Sequence, residues 1–362
     1  MFTFLKYIFS GDFHKLRRYS IWRSYIFDYK NHFLSRPLHV IAVHNKGFSV
    51  NDWDVMNLTD ENYKSYLTSE QYHRIHPLNG KYSRIIDDKM TIKYVFYGTK
   101  VNNYMPKYYF CSDEEGMFYP LMEAPDVSKR VANQDDIMAL LTEKKRLAFK
   151  PLGGSLGRGF CKVELINEKI YINNIATGKE NFYKFIHTLK NYLVLEYLVP
   201  HPYLARYCPD TPNTIRYLVG RVNDEWRMLK SFIRFGTTKT GCVENFNSGG
   251  ILCYINPAGH FHGGYIIQKE NKRKRSVSVD EHPDAKLDLD GDIPLWGELM
   301  TAVKEIESLL PQTKYLGFDF VVTNKNEVKL LEINSLTSLD SLQLDGPIWE
   351  NENGKWFFRS LL

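Results

Sequence analysis

The sequence predicts an α+β protein built on antiparallel strands. Two observations lead to this class. An apolar strand at 147–150 enters a glycine-rich loop and returns as a second strand at 160–164, and a hairpin at 316–334 carries one acidic residue on each strand. Segments with apolar residues three or four apart lie outside these two strand pairs and predict amphipathic helices. Strands that follow each other directly, with the helices kept apart, are typical of α+β architecture.

Length and composition are those of a globular protein with two or three subdomains. The chain has 362 residues, of which 43% are hydrophobic and 25% are charged. We expect an N-terminal arm and a preceding region over residues 1–84, a region with the glycine-rich loop over 85–200, and a C-terminal region with the acidic hairpin over 201–362.

Charge and cysteine content restrict the choice of partners only weakly. The net charge of +5 and the pI near 8.7 suit anionic partners without selecting one. The basic run 272–275 is interpreted as a solvated loop, so no nucleic-acid partner is expected. Five scattered cysteines without a CxxC pair speak against a disulfide framework and a structural zinc. With no apolar run of membrane-spanning length and no secretion signal, we expect a cytoplasmic protein.

The first thirty residues allow two interpretations. Apolar residues recur there at near-helical spacing among basic ones, which describes an amphipathic helix lying on the inner, anionic face of a membrane. Gly11 interrupts the pattern, and the alternative is an arm packed on the body of the protein. The residues concerned are the apolar Phe2, Leu5, Phe9, Phe13 and Leu16 and the basic Lys6, Lys15, Arg17 and Arg18.

The remaining elements follow from caps, breakers and periodicity. Asp88 is placed to cap a helix that has Lys89 in its first turn and is ended by Gly98. A second helix is predicted over 134–145, and a third begins near Pro294 and stops at Pro311. Strands are predicted at 38–43, 147–150, 160–164, 192–199, 214–222 and 226–235, and the charged segment 269–289 is predicted to be a mobile loop.

The hairpin at 316–334 carries the sharpest chemical inference. A turn of two residues or of four gives the same antiparallel register, which sets Asp319 opposite Glu332. Side chains alternate along a strand, so Asn334 shares the face of Glu332. Two facing carboxylates repel each other, and a hard cation bound between them removes this repulsion. Ligands that offer only oxygen atoms suit Mg²⁺. The alternative is a solvated acidic face on the hairpin.

The glycine-rich loop at 150–159 is the second chemical feature. Its glycines let the backbone approach a ligand closely and direct N–H groups at phosphate oxygens. The spacing fits neither a P-loop nor a dinucleotide-binding turn. Lys150 at its edge and Lys89 at a helix N-terminus are candidate phosphate ligands, because a lysine is a compact charge. The loop residues singled out are Gly153, Gly154, Ser155, Gly157 and Arg158.

Three charged residues interrupt apolar strands and are weaker candidates. Glu196 lies within the strand 192–199, where an edge-exposed side chain is the alternative. Arg216 and Arg234 are candidate catalytic residues, because a guanidinium holds carboxylate or phosphoryl groups in two-point contact. Ordinary ion pairs explain the two arginines equally well.

Together these residues resemble the ATP-grasp superfamily, and within it the sugar-transfer-associated branch. The resemblance spans about residues 84–345 and is specific in order and spacing rather than in any single motif. Its motifs are Asp88-Lys89, Lys150 with the Gly-Gly-Ser loop, Glu196, Asn213-Thr214-Ile215-Arg216, Asn245 with Gly249-Gly250, His282-Pro283, Ile293-Pro294-Leu295-Trp296, and Asp319 with Glu332-Ile333-Asn334.

The resemblance implies a fold and a set of roles. Two α+β subdomains would sandwich ATP, with an N-terminal extension outside them. Lys89 and Lys150 would contact phosphates, and the glycine loop would close over these groups. Glu196 and the backbone of Tyr197, Leu198 and Val199 would recognise the adenine. Asp319, Glu332 and Asn334 would hold Mg²⁺, with two ions expected. Arg216, Asn245, Gly249 and Gly250 are expected on the substrate side.

The implied reaction is ADP-forming ligation of a carboxylate to an amine through an acyl phosphate, catalysed by Lys150 with Arg216 or Arg234. The substrate is expected to be a small-molecule or saccharide acid, such as a sugar acid of a capsule or surface polysaccharide, and residues 1–30 could contact that biosynthetic machinery. Dipeptide ligases of the superfamily have an arginine where this chain has Gly317, so the charge of the tetrahedral intermediate must be stabilised from elsewhere. A kinase on the same scaffold and a non-catalytic nucleotide-binding module are the alternatives.

Overall fold

The computed structural model describes residues 21–128, 131–153, 157–270 and 273–362. The α-helices in these ranges are α1 (Ile21–His32), α2 (Pro37–Asn45), α3 (Val50–Val55), α4 (Ser69–Ile75), α5 (Ser83–Asp87), α6 (Lys89–Phe96), α7 (Gln134–Lys144), α8 (Lys179–Thr188), α9 (Pro202–Ala205), α10 (Trp296–Leu309), α11 (Leu339–Gln343) and α12 (Glu352–Arg359). The strands are β1 (Tyr108–Ser112), β2 (Phe118–Pro120), β3 (Arg146–Pro151), β4 (Cys161–Ile166), β5 (Lys169–Ile172), β6 (Ile175–Thr177), β7 (Tyr192–Glu196), β8 (Ile215–Val222), β9 (Glu225–Phe235), β10 (Ile251–Tyr254), β11 (His260–His262), β12 (Gly264–Glu270), β13 (Arg273–Val279), β14 (Asp290–Asp292), β15 (Tyr315–Val322) and β16 (Val328–Asn334).

The first sheet contains the glycine-rich loop. Its antiparallel strands follow the order β2-β1-β7-β3-β4-β5-β6. Helices α7 and α8 lie against it, where Leu141 and Phe182 pack with Phe149 in one core. The predicted helix at 134–145 is confirmed as α7, and the predicted strands at 147–150 and 160–164 are the directly paired β3 and β4.

The second sheet contains the acidic hairpin. Its antiparallel strands follow the order β13-β12-β10-β9-β8-β15-β16. Helix α10 buries Leu299 and Ile306 in its core, and helix α6 buries Ile92 and Phe96 in the same core. Both helices are where the sequence predicts them, and the Asp88 carboxylate caps α6 by accepting the backbone N–H of Thr91. The α+β prediction is confirmed, whereas the division at residues 84 and 200 stays a prediction.

The hairpin sets Asp319 opposite Glu332, but it reaches this register by a route that the sequence did not predict. The turn has three residues, 324–326, instead of two or four, and Asn326 adopts a left-handed φ of 57°. Near the turn the pairing is therefore one residue out of the predicted register. A bulge that leaves Leu331 without a partner restores the predicted pairing at the acidic residues.

The strand predicted at 38–43 is wrong, because these residues form helix α2. Pro37 occupies the first turn, where its missing N–H is harmless and its fixed φ favours a helix. Val40 and Val43, three residues apart, are buried, whereas Leu38 and Ile41 are exposed. The apolar run was therefore misread as a strand, because its buried residues follow the spacing of a helix.

The mobile loop predicted at 269–289 is also wrong for residues 273–279, which form strand β13. Strand β13 pairs with β12 from residue 273 to residue 279. Ser276 anchors it, since its Oγ donates to the carbonyl of Val55 at 2.6 Å and its carbonyl accepts from the Asn57 amide at 2.9 Å. Lysine and arginine on such an edge strand discourage pairing with other chains and do not indicate disorder.

The N-terminal amphipathic pattern lies mostly outside the described residues. All the residues singled out in it precede residue 21, so its two interpretations stay predictions. Within the described ranges, no helix has the length and apolar character needed to span a bilayer.

Candidate functional site

A single cavity of about 990 Å³ brings the predicted site residues together. Its size is at the upper end of the range that proteins use for small ligands. Strands of both sheets and the N-terminal helices contribute to its wall. The predicted residues that line it are Lys89, Lys150, Gly157, Arg158, Glu196, Tyr197, Leu198, Arg216, Arg234, Asn245, Asp319, Glu332 and Asn334.

Two lysines reach the cavity from different elements and meet at Glu332. Lys89 is the first residue of α6, and Lys150 lies near the end of β3. The Nζ atoms of both lie 3.8 Å from the same Glu332 Oε2. Burial lowers the pKa of Lys89, although Glu332 partly opposes this effect. In this arrangement the carboxylate holds two cations beside the position where phosphates are expected.

Asp319 is held by two arginines. Arg216 directly faces it across β8 and β15 and makes a two-point contact, Nε to Oδ1 at 2.5 Å and Nη2 to Oδ2 at 2.9 Å. Arg234 approaches from β9 with Nη2 3.2 Å from Oδ1. Burial would raise the pKa of Asp319, but the two guanidinium groups hold it well below its usual range.

The two arginines therefore differ in their freedom to act on a ligand. Arg216 is 8% exposed and also donates from Nη1 to Thr337 Oγ1 at 3.1 Å, so each of its three nitrogen atoms already has a partner. The ion-pair interpretation is the one that its geometry supports. Arg234 is more open, and its Nε and Nη2 both contact Thr214 Oγ1. Of the two, Arg234 is the better placed to contact a substrate.

Gly317 gives Arg216 its place beside Asp319. A Cβ at residue 317 would approach Thr337 Oγ1 to 3.0 Å and Arg216 Cδ to 3.5 Å. A long side chain on this strand would therefore occupy the path of the Arg216 side chain. The positive charge next to position 317 is therefore that of Arg216 on the neighbouring strand β8.

The charges fit a metal only together with an anionic ligand. Lys89, Lys150, Arg216 and Arg234 surround Asp319 and Glu332, and the Glu244 carboxylate lies close to Arg234, so the positive charges exceed the negative ones by one when all three carboxylates are ionised. No group of three or more His, Cys, Asp or Glu side chains able to hold a metal occurs in the described residues. The oxygen donors of Asp319, Glu332 and Asn334 suit Mg²⁺, which completes its shell with water and phosphate oxygens. A magnesium–polyphosphate complex therefore matches both the donor set and the charge balance.

Part of the cavity wall next to these charges is apolar, and we call it the apolar slot. It is lined by Ala148 and Leu195 from the first sheet and by Leu331 and Ile333 from the second, and the unpaired Leu331 is the bulge residue. The Glu196 carboxylate at its edge accepts the Lys107 N–H at 3.2 Å. The slot could take a flat, apolar-faced group.

Several predicted residues lie away from the cavity. The Val199 carbonyl accepts the N–H of Asn324, which ties it to the hairpin turn instead of a ligand. Gly249 adopts a φ of 109° and forms a turn with Gly250 behind the cavity wall, and Gly153 is exposed. These three glycines and Val199 are not among the described lining residues. Gly154 and Ser155 lie outside the described residues.

The described part of the glycine-rich loop faces the segment 242–247. Gly157 has a φ of 69°, and a Cβ on it would come within 2.9 Å of Val243 Cγ1. Glycine is therefore required there both by conformation and by space. This contact brings Gly157 and Arg158 over the cavity, as expected for a covering loop.

Glu244 is a site residue that sequence reasoning missed. Its Oε1 accepts the Thr214 hydroxyl at 2.6 Å, whereas its Oε2 is buried with no hydrogen-bond partner among the described residues. Burial raises its pKa, although Arg234 and Thr214 partly oppose this effect. Its position directly before Asn245 was an available signal. A buried, half-satisfied carboxylate in a cavity wall is suited to a ligand that donates a hydrogen bond.

At pH 8 the free energy of unfolding of Glu244→Gln is expected to equal that of the wild type or to exceed it by up to about 1 kcal/mol. The folded-state pKa is raised, so the wild type loses stability as the pH rises above 4.5, the ordinary value for this group. Glutamine keeps an acceptor for Thr214 and cannot ionise. Urea unfolding at several pH values should show the difference shrinking as the pH falls toward 4.5. A loss of stability at pH 8 would give Glu244 a structural role, and the exposed Glu168→Gln is the control.

The cavity continues into a lobe whose far wall is built by the N-terminal helices. Helix α1 contributes Asp28, α3 contributes Asp52, and β13 contributes Lys274. Asp28 is 1% exposed, and burial raises the pKa of Asp52 to about 6 while Ser69 donates to its Oδ2 at 2.6 Å. No local pattern marks these residues, which come together only through tertiary packing.

Comparison with known proteins identifies the family. Residues 69–348 match the family described as sugar-transfer associated ATP-grasp. A search of curated proteins gives no match. Among solved structures, the ADP complex of purK, an N5-carboxyaminoimidazole ribonucleotide synthetase, is 11% identical with a TM-score of 0.40, covering 72% of this chain and 48% of that one.

Two further solved structures are similar to this chain to a comparable degree. D-alanyl-alanine synthetase A from Vibrio cholerae O1 biovar eltor is 12% identical, with a TM-score of 0.38 and coverage of 70% of this chain and 56% of that one. The ATP-grasp ligase PsnB with minimal precursor is 9% identical, with a TM-score of 0.38 and coverage of 78% and 62%. This chain therefore spans only about half to three fifths of each of them. The match over residues 69–348 covers most of the chain, and the protein belongs to the sugar-transfer-associated ATP-grasp family.

Proposed function

We propose that this protein is a Mg-ATP-dependent, ADP-forming ligase that joins a carboxylate to an amine. The observation that carries the proposal is one continuous cavity that joins the cationic site at the hairpin to a second part of mixed charge. The excess of positive charge around the hairpin suits a triphosphate and a substrate carboxylate. The second part, where Asp52 and Lys274 both line the wall, has room for the amine.

The residues divide the work as follows. Lys89 and Lys150 turn from Glu332 to the phosphates, while the apolar slot holds the adenine. Asp319, Glu332 and Asn334 would hold Mg²⁺, which would supply neutralisation of the phosphate charge. The substrate carboxylate displaces ADP from the γ-phosphorus and becomes an acyl phosphate. Arg234 stabilises the charge that develops there.

The second half of the reaction uses Glu244. The amine reacts as the neutral base, after any ammonium form has lost a proton to water. Its nitrogen bonds to the acyl carbon, the bond from that carbon to the phosphate oxygen breaks, and phosphate leaves with the electron pair. The further proton that the nitrogen loses passes to Glu244 Oε2, a buried acceptor without a hydrogen-bond partner among the described residues. The loop that includes Gly157 and Arg158 protects the acyl phosphate from water.

We further propose that the acid is a sugar acid of a capsule or surface polysaccharide, on the basis of the family description, and that the reaction takes place in the cytoplasm. The five unpaired cysteines support a reducing compartment.

A matrix of uronic and other sugar acids against amino acids, amino alcohols and amino sugars tests the proposal. ADP release is expected only with Mg²⁺, acid and amine together, and mass spectrometry should find acid plus amine minus water. Lys150→Ala should abolish the release. ADP formation without an amine, with a stable phosphorylated product, would instead identify a kinase. No ADP release with any pair, despite tight binding of Mg-ATP, would identify a binding module.

A further inference from the structure

Helices α1 and α2 present an apolar outer surface. Trp22, Ile26 and Tyr29 follow each other at helical spacing on α1 and are 41%, 50% and 45% exposed. Leu34 and Leu38 extend the surface and are 98% and 81% exposed. Single exposed apolar residues are ordinary, but this concentration within seventeen residues is a feature of interaction surfaces. We call these five residues the α1–α2 patch.

The charge around the patch is strongly asymmetric. The first 46 residues contain eight lysines and arginines against two aspartates, a net charge of +6, so the remainder of the chain is slightly negative at −1. Between residues 21 and 46 the one acidic residue is Asp28. It is buried, accepts the Val50 N–H at 2.9 Å and lies 3.0 Å from His44 Nε2. The exposed part of this segment is therefore apolar and basic, without an acidic side chain.

We infer that the α1–α2 patch docks on an anionic lipid bilayer. Tryptophan and tyrosine favour the boundary between headgroups and acyl chains, and basic residues beside an apolar face are attracted to anionic headgroups. Lys30, which is exposed on α1, supplies such a charge next to the patch. Within the described residues α1 has twelve residues, fewer than a bilayer-spanning helix needs, so we place it in the plane of the interface.

Docking in this way has a consequence for the cavity. Arg23, Ser24 and Phe27, on the same helix as the patch, line the far lobe. The bilayer would therefore lie next to the lobe that we assign to the amine. The inference itself does not depend on the proposed reaction, because vesicle binding is measured without ATP or substrates.

Co-sedimentation of the full-length protein with vesicles tests the inference. Binding is expected to vesicles of phosphatidylcholine with about 30% phosphatidylglycerol, which have a strongly negative surface. This binding should weaken with added salt, because salt screens the charges. Phosphatidylcholine alone should bind poorly. The double substitution Trp22→Ser and Ile26→Ser should weaken vesicle binding at least about tenfold, because burial of two large apolar side chains in the bilayer changes the affinity by more than tenfold.

The matched control substitutes two exposed apolar residues elsewhere, Tyr97→Ser and Ile175→Ser, and should bind as the wild type does. Thermal unfolding checks that both double variants are folded. The inference is overturned if the wild type does not bind anionic vesicles, or if the Trp22/Ile26 variant binds them equally well. It is also overturned if the wild type forms a dimer that this variant abolishes, because the patch then binds a second copy of the chain.

Discussion

Glu332→Gln is expected to reduce Mg-ATP turnover by roughly 10²- to 10³-fold while the protein stays folded, as for loss of one group that stabilises the reacting charge. The carboxylate has two duties in this site. It is a proposed Mg²⁺ ligand, and it holds Lys89 and Lys150, each at 3.8 Å, before a nucleotide arrives. Its removal should therefore act in opposite directions with and without the metal.

Calorimetric titration with a non-hydrolysable ATP analogue separates the two duties without any knowledge of the substrates. In Mg²⁺ the variant should bind the analogue more weakly than the wild type does. In EDTA it should bind at least as tightly, because the two lysines no longer have a competing carboxylate. Glu327→Gln, an exposed position on the same hairpin, is the control and should change neither affinity. Equal binding by wild type and variant in both conditions would remove Glu332 from the metal site.

Arg216→Ala is expected to lower the free energy of unfolding by about 3–5 kcal/mol. Arg216 is 8% and Asp319 3% exposed, so the substitution leaves a buried carboxylate without its two-point partner. The low folded-state pKa of Asp319 contributes stability at pH values above 3.8 that is lost as the pH falls toward the folded value. The difference between variant and wild type should therefore narrow in acid.

Arg234→Ala provides the contrast. This side chain is more exposed and shares Thr214 with Glu244, so its removal should change stability by no more than about 1 kcal/mol. If Arg234 stabilises the reacting charge, turnover should fall roughly 10²- to 10³-fold. The exposed Arg84→Ala, away from the cavity, should alter neither quantity. A stable Arg216 variant, or an active Arg234 variant, would reverse the roles assigned to the two arginines.

The sequence could not distinguish these roles, because an arginine inside an apolar strand looks the same in either case. Cross-strand pairing decides it: Arg216 faces Asp319 directly, whereas Arg234 approaches from one strand further away. The hairpin shows a related limit. Two errors, in the turn length and in the missed bulge, cancelled at Asp319 and Glu332, so the predicted pairing was confirmed for an incomplete reason.

The sequence by itself determined the α+β class, the capped start of α6, the β3–β4 unit and the facing acidic residues, because each depends on local rules of capping, alternation and register. Tertiary structure alone decided what surrounds those carboxylates. The cations that neutralise them come from four separate elements, and Glu244, Asp28 and Asp52 meet one cavity from distant parts of the chain. Such convergence depends on packing between elements, and the local sequence around each residue carries no record of it.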